Sequence, residues 1–147
     1  MATNEEIIDQ LYAAAEGETA DAQKFASLFH DDGYFEDESS GMKLYGRDTA
    51  KLIEAVSAAF PDMHRERLQT YVTPDTIIVE LKLQGTHTGD FHTGEGVFAP
   101  TGRTFDVPCC DVFRLRDGKL EFFHCYNQLS VWLKQLGLLA VREGAQG

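Results

Sequence analysis

Residues 103–127 read RTFDVPCCDVFRLRDGKLEFFHCYN. Apolar and polar side chains alternate on both sides of Asp117-Gly118, a dipeptide whose easy access to positive φ suits a two-residue hairpin loop. The stretch is therefore expected to form two long antiparallel strands, Arg103 to Arg116 and Lys119 to Asn127. Such a loop sets Arg116 opposite Lys119, and pairing then runs back along both strands. Leu115 meets Leu120, Phe113 meets Phe122, Asp111 meets His124 and Cys109 meets Tyr126. Alternation gathers these pairs on one face. The other face receives Arg114 with Glu121, Val112 with Phe123, and Cys110 with Cys125, the last as two packed thiols. The first face is the apolar one and should point inward, carrying a carboxylate beside an imidazole.

Upstream, Pro74-Asp75 is a second turn, between strands Met63 to Val72 and Ile77 to Thr88. It sets Thr73 opposite Thr76, Leu68 opposite Leu81, Glu66 opposite Leu83, His64 opposite Gly85 and Asp62 opposite His87. Arg65, Arg67, Gln69, Glu80, Lys82 and Gln84 then share the wet face, since a one-residue slip would expose Val79, Leu81 and Leu83. Asp62, His64, Glu66 and His87 are thus expected inside, among leucines. Charged groups on an apolar face are costly unless paired or hydrated. A hollow that admits water or ligand is the simplest arrangement that tolerates several of them.

The first half is helical by its spacing. Thr3 with Glu6 forms a capping box ahead of Ile7, Ile8, Leu11, Tyr12 and Ala15. After Gly17, a second amphipathic segment presents Ala22, Phe25, Ala26, Leu28 and Phe29. Asp31-Asp32-Gly33 should end it, with Tyr34 to Glu38 a short strand. Asp48 can cap a third helix carrying Leu52, Ile53, Val56 and Phe60, which Pro61 stops. The glycine-rich stretch Gly89 to Gly102 is a long loop or a hairpin tip. A last helix starts near Gln128, presents Leu129, Trp132, Leu133 and Leu136, and ends at Gly137. Helices first and a strand meander afterwards is an α+β order in a single domain, residues 1–147.

Bulk composition narrows the partners. A net charge of −11, from 24 acidic and 13 basic side chains, disfavours nucleic acid and anionic lipid. The N-terminus has no basic or apolar leader, and no apolar run approaches a membrane span. Three cysteines without a CxxC pair argue for reduced thiols and a cytoplasmic location. Neither HExxH, nor a phosphate-cradling loop, nor GxSxG occurs.

Candidate site residues follow from the two registers. Asp111 and His124 are the candidate catalytic dyad, with a core pair holding two strands together as the plain alternative. His64 and Glu66 face the same hollow, and His87 stands at its rim or in solvent. Tyr12, Tyr126 and Trp132 line the hollow or fill the core, and Asn127 contacts ligand or caps the last helix. A histidine–carboxylate metal site ranks last, because the four groups come from different strands with no sequence-local ligand pair. We therefore expect no metal and no cofactor.

The run Tyr45-Gly46-Arg47, Phe60-Pro61-Asp62-Met63-His64, Gly85-Thr86-His87-Thr88-Gly89, Pro100-Thr101-Gly102-Arg103, Asp111-Val112-Phe113-Arg114, Asp117-Gly118-Lys119 and Gln135-Leu136-Gly137 resembles the SnoaL-like polyketide cyclases. The resemblance implies the cone-shaped nuclear-transport-factor-like fold shared with ketosteroid isomerase: a strongly curved antiparallel sheet, covered by N-terminal helices around a pocket. It further implies a homodimer, a small-molecule substrate, and cofactor-free aldol closure of a polyketide ester. For true cyclases it implies that an aspartate on the last strand, near a histidine on the neighbouring strand, acts as acid/base. Here the last strand offers His124 and the preceding one Asp111, and Asn127 stands close to the aspartate's place. The two functions expected are acid–base catalysis on an enolisable carbonyl compound, or non-catalytic binding of a small molecule.

Overall fold

The computed structural model describes residues 2–94 and 96–139. Helix α1 (Asn4–Ala14) begins at the expected capping box, with the Glu6 amide donating to Thr3 Oγ1 and the Thr3 amide to Glu6 Oε1, each at 3.2 Å. Its apolar stripe, Ile7, Ile8, Leu11 and Tyr12, is buried. Helix α2 (Ala22–Ser27) follows, then strand β1 (Phe29–Asp37), strand β2 (Met42–Tyr45) and helix α3 (Ala50–Ala59). Strands β3 (His64–Val72) and β4 (Thr76–Thr86) form a hairpin. A small hairpin of β5 (Phe91–Thr93) and β6 (Gly96–Phe98) comes next. Long strands β7 (Thr104–Arg116) and β8 (Lys119–Asn127) precede helix α4 (Leu129–Gln135). The main sheet has the order β2-β1-β8-β7-β4-β3. All neighbours are antiparallel except β1 with β8, which run parallel. Among the described residues no helix is long and apolar enough to cross a membrane.

Both turns fall where the sequence puts them. Asp117 and Gly118 have φ of 52° and 77°, so Arg116 pairs with Lys119 and Leu115 with Leu120. One step further the register slips: Arg114 pairs with Phe122, leaving Glu121 as an extra, bulged residue. From there on β8 is reversed relative to expectation. Phe113 meets Phe123, Val112 meets His124, Asp111 meets Cys125, Cys110 meets Tyr126 and Cys109 meets Asn127. A second bulge, at Leu68, does the same to β3: Gln69 pairs with Glu80 but Arg67 with Leu81 and Arg65 with Leu83. Arg65 therefore turns inward and is half-buried, Arg67 reaches over the Tyr12 ring but stays exposed, and His64 and Glu66 face solvent. Leu68 itself is left in solvent.

Other boundaries also move. Asp31-Asp32-Gly33 does not end a helix but lies inside β1, where Gly33 is pressed against the Leu120 carbonyl. Asp48 does not cap α3; it sits in a short 3-10 turn, Gly46–Thr49, and pairs with Lys51. Strand β2 was not anticipated, and the glycine-rich stretch contains the β5–β6 hairpin rather than a bare loop.

The concave face of the sheet carries Ile77, Val79, Leu81, Leu83, Val107, Phe113, Leu115 and Leu120, all buried under the three N-terminal helices. The end of β4 is fastened to α3, where the Thr88 and Gly89 amides both donate to the Ala59 carbonyl (3.0 and 3.1 Å). A Cβ on Gly89 would stand 1.9 Å from the Ala58 carbonyl oxygen, so this close approach requires glycine. The expected helix-covered, curved α+β sheet is what the chain forms.

Candidate active site

Between the concave face, α3, α4 and the β5–β6 hairpin lies a cavity of about 580 Å³. Its outer walls are apolar, from Leu52 and Val56 on α3, Phe91 on the hairpin and Trp132 on α4. These walls meet at Phe60, whose ring lies 4.8 Å from Phe91, 4.9 Å from Phe105 and 5.3 Å from Trp132. Polar groups gather on the sheet side: Asp111 from β7, Cys125 and Asn127 from β8, Arg65 from β3 and Asp37 from β1. Lys51, Ser39 and His92 also line the cavity. An apolar chamber with a few convergent polar groups is the usual form of a small-molecule site.

Asp111 is 1% exposed, which makes it the strongest chemical feature of the chamber. The Tyr12 hydroxyl donates to its Oδ2 at 2.8 Å, and the Cys109 thiol donates to Oδ1 at 3.4 Å. Burial pushes the carboxyl above the usual carboxylate range. The Tyr12 hydrogen bond, the Arg65 charge and the neighbouring thiols oppose that rise without cancelling it. Tyr12 is itself raised well above an ordinary phenol, by burial first and by the adjacent carboxylate second. The Cys109 thiol is raised by its hydrogen bond with Cys125 and by burial. Arg65 is half-buried, and its Nη1 donates to the Ala15 carbonyl (2.8 Å).

Removing the Tyr12 hydroxyl tests this reading of Asp111. Tyr12→Phe takes away a donor that favours the ionised carboxylate, so the Asp111 pKa should rise further. Stability should fall by about 1–3 kcal/mol, the cost of one hydrogen bond to a buried charged or polar group. Carbon-detected NMR of labelled aspartate reads the first effect and urea melts the second; an unmoved Asp111 titration would rule out the coupling.

Of the other residues singled out, several lie elsewhere. The bulge at Glu121 turns His124 to the outer face, so Asp111 and His124 form no dyad. There the imidazole stacks on Phe122 (3.9 Å, 8°), is hydrogen-bonded to the Tyr34 hydroxyl (2.9 Å) and lies 3.8 Å from Glu38. Tyr126 points the same way and is 48% exposed. Cys110 remains outside, and the thiol that meets Cys125 is that of Cys109, at 3.7 Å. The bulge at Leu68 turns His64 out to Glu16 (3.1 Å) and leaves Glu66 in solvent. His87 is neither rim nor exposed. It is wholly buried beside Phe60, and its Nδ1 accepts from the Thr101 amide (3.2 Å), leaving Nε2 without a hydrogen-bond partner among the described residues. Asn127 faces the cavity and donates to Asp37 (3.0 Å), so Gln128, not Asn127, occupies the helix cap.

Asp111 and Asn127 line the chamber, then, with Tyr12 directly behind Asp111. Arg65, Cys125, Cys109 and Asp37 were not anticipated. A hint for Arg65 was present in the sequence, since β3 is charged at nearly every position of its first half and any register must carry some charge inward.

A family model described as SnoaL-like polyketide cyclase matches residues 6–136. No curated protein matches the chain. Among solved structures, one similar protein has a ketosteroid isomerase-like fold, comes from Catenulispora acidiphila DSM 44928 and is in complex with trimethylamine. It is 24% identical, with 93% of this chain and 96% of that one covered and a TM-score of 0.77. A candidate SnoaL-like polyketide cyclase from Jannaschia sp. CCS1 is 19% identical, with 93% of each chain covered and a TM-score of 0.79. IdmH, a candidate polyketide cyclase from Streptomyces antibioticus, is 23% identical over 92% of this chain and 99% of its own, with a TM-score of 0.76. At these identities the likeness establishes the fold.

Proposed function

The chain belongs to the SnoaL-like polyketide cyclase family, and from that premise we propose that its cavity binds a small, largely apolar carbonyl compound of the polyketide type and moves a proton on it with Asp111. The observation that carries this reading is the Asp111 carboxyl, 1% exposed, on the polar sheet side of a chamber whose outer walls are apolar. Burial keeps that group poised to exchange a proton closer to neutral pH than an exposed aspartate would. Arg65 supplies positive charge on the same side, suited to the enolate oxygen that forms when a proton leaves the adjacent carbon. No cofactor is invoked.

A second reading, a non-catalytic binding domain, is favoured by one observation. The imidazole expected beside Asp111 faces the opposite side of the sheet, so no histidine shares the proton. Exchange chemistry separates the two. Incubated in deuterated buffer with an aryl β-keto ester, the protein should speed deuterium entry at the carbon between the carbonyls. Binding of the ester without faster exchange would leave the binding domain.

The outer face of the sheet supports pairing with a second copy of the chain. Tyr45, Tyr71 and Tyr126 are each about half exposed there; Tyr45 packs on Tyr34, which packs on Phe122, and Tyr126 meets the edge of His124. Lys43 and Arg114 lie over two of these rings and Glu36 and Glu38 stand close by, so the face carries both signs. A twofold contact requires such a self-complementary surface. Light scattering should give a dimer, and Tyr126→Arg a monomer; a monomeric wild-type protein would remove the interface. Three cysteines without a CxxC pair favour a reducing, cytoplasmic location, and the net charge of −11 disfavours nucleic-acid and anionic-membrane partners.

A further inference from the structure

Cys109, Asp111 and Cys125 converge on one point beside the cavity, with their ligand atoms all within 4.8 Å of one another. The two sulfurs are 3.7 Å apart, and Cys109 Sγ is 3.4 Å from Asp111 Oδ1. Two thiolates bound to zinc at roughly 2.3 Å and the tetrahedral angle are separated by about 3.8 Å, and a thiolate and a carboxylate oxygen by about 3.5 Å. Two of the three separations thus already stand close to the edges of a zinc tetrahedron, and the third, between Cys125 and Asp111, is no more than 4.8 Å. A disulfide would need the sulfurs at about 2.05 Å.

The surroundings fit the same geometry. Tyr12 holds Asp111 through Oδ2, which leaves Oδ1 for an ion and fixes the carboxylate as an outer hydrogen bond fixes a metal ligand. Asn127 Nδ2 lies 3.6 Å from Cys125 Sγ and can donate to a thiolate there. Asn127 Oδ1 is buried and has no hydrogen-bond partner among the described residues. Asp111 and Cys125 both line the cavity, so a fourth coordination position would open on it. A dication with two thiolates and one carboxylate carries a net charge of −1, and the Arg65 charge already acts on Asp111.

We propose that Cys109, Asp111 and Cys125 form a site for a thiophilic divalent cation, zinc by its tetrahedral preference, with the remaining position facing the substrate chamber. As the two metal–sulfur bonds form, the two thiol protons leave to solvent. The proposal goes beyond the acid–base reading and describes a second state of the same chamber. With the ion bound, Asp111 is a ligand and cannot carry a proton.

Cobalt(II) reports such a site directly, because thiolate ligands give a ligand-to-metal charge-transfer band and tetrahedral geometry gives intense visible bands. Titrating the untagged, fully reduced protein with cobalt(II) should produce both, saturating at one ion per chain and bleaching when one equivalent of zinc is added. Cys125→Ser should weaken cobalt affinity by at least about 100-fold, whereas Cys110→Ser, a thiol outside the cluster, should leave it unchanged. Circular dichroism of both variants controls for folding, and Asp111→Asn provides a second ligand deletion should Cys125→Ser fold poorly. Absence of a thiolate band at excess cobalt, or a band that survives both ligand deletions, overturns the site. A protein that binds cobalt but never speeds deuterium exchange keeps the site and loses only the acid–base reading. One that exchanges protons but shows no band loses the site alone.

Discussion

Asp111→Asn should slow deuterium exchange on the β-keto ester by about 10²–10⁴-fold, the range that a positioned general base contributes. The substitution is close to isosteric, and the amide oxygen can still accept from Tyr12, so the chamber and its affinity should persist. The pH dependence follows from the upward shift that burial imposes on the carboxyl. Wild-type exchange requires the ionised form, so it should rise with pH through a value above the ordinary carboxylate range and then level off. The asparagine variant should show only the flat residual rate. Stability should move the other way. A carboxyl whose folded pKa exceeds its unfolded value contributes stability that is fully present below the unfolded value, about 3.9, and is lost as pH rises through the folded one. Asparagine has no such loss. Between mildly acidic and neutral pH the variant should therefore gain stability relative to wild type while losing turnover. An Asp111→Asn protein with unchanged exchange would end the acid–base proposal. One that is slow only because it has unfolded would fail the stability arm.

How much of this was legible in the sequence depends on the strand. The inner residues of β4 and β7, from Ile77 to Leu83 and from Val107 to Leu115, alternate so cleanly that one face must be dry whatever the partner does. Asp111 could be placed inside from β7 alone. Turn chemistry was equally local, and both hairpin loops sit where Asp117-Gly118 and Pro74-Asp75 put them. The partner strands were another matter, because their orientation was borrowed through the turn. A bulge inserts one residue and reverses all that follows, and nothing in the composition of Leu120-Glu121-Phe122 or Arg67-Leu68-Gln69 announces it. With two adjacent phenylalanines, Phe122 and Phe123, β8 offers an aromatic side chain to either face, so hydrophobicity could not arbitrate. The same slip that removed His124 and Tyr126 from the chamber brought in Cys125 and Asn127. On β3 it exchanged His64 and Glu66 for Arg65. The parallel pairing of β1 with β8 joins segments some ninety residues apart, as in Tyr34 with Phe122, beyond the reach of any local pattern.

Phe60→Ala should lower stability by about 3–5 kcal/mol and the melting temperature by roughly 10–15 °C, the scale for removing a buried aromatic ring from a chain of this size. Phe60 is 1% exposed and ends α3, just before the turn into β3. Its ring touches side chains from three other elements, Phe91 of β5, Phe105 of β7 and Trp132 of α4, and also packs on His87. No single neighbour can move in to fill the space without leaving the others. The deleted volume would therefore add to the chamber instead of collapsing, which places the cost well above that of an exposed phenylalanine. The loss should also be uneven. Phe91 rests on Phe60 and Trp132, so amide exchange should quicken first in β5 and β6, while β4 and β7 stay protected. Asp111 belongs to the opposite wall and keeps its burial and its Tyr12 partner, so the pH midpoint of deuterium exchange should hold while ester binding weakens. Phe60→Leu should fall between the two proteins. A Phe60→Ala variant that melts within about 2 °C of wild type, a shift worth less than roughly 1 kcal/mol, would mean that the aromatic wall is not what closes the chamber.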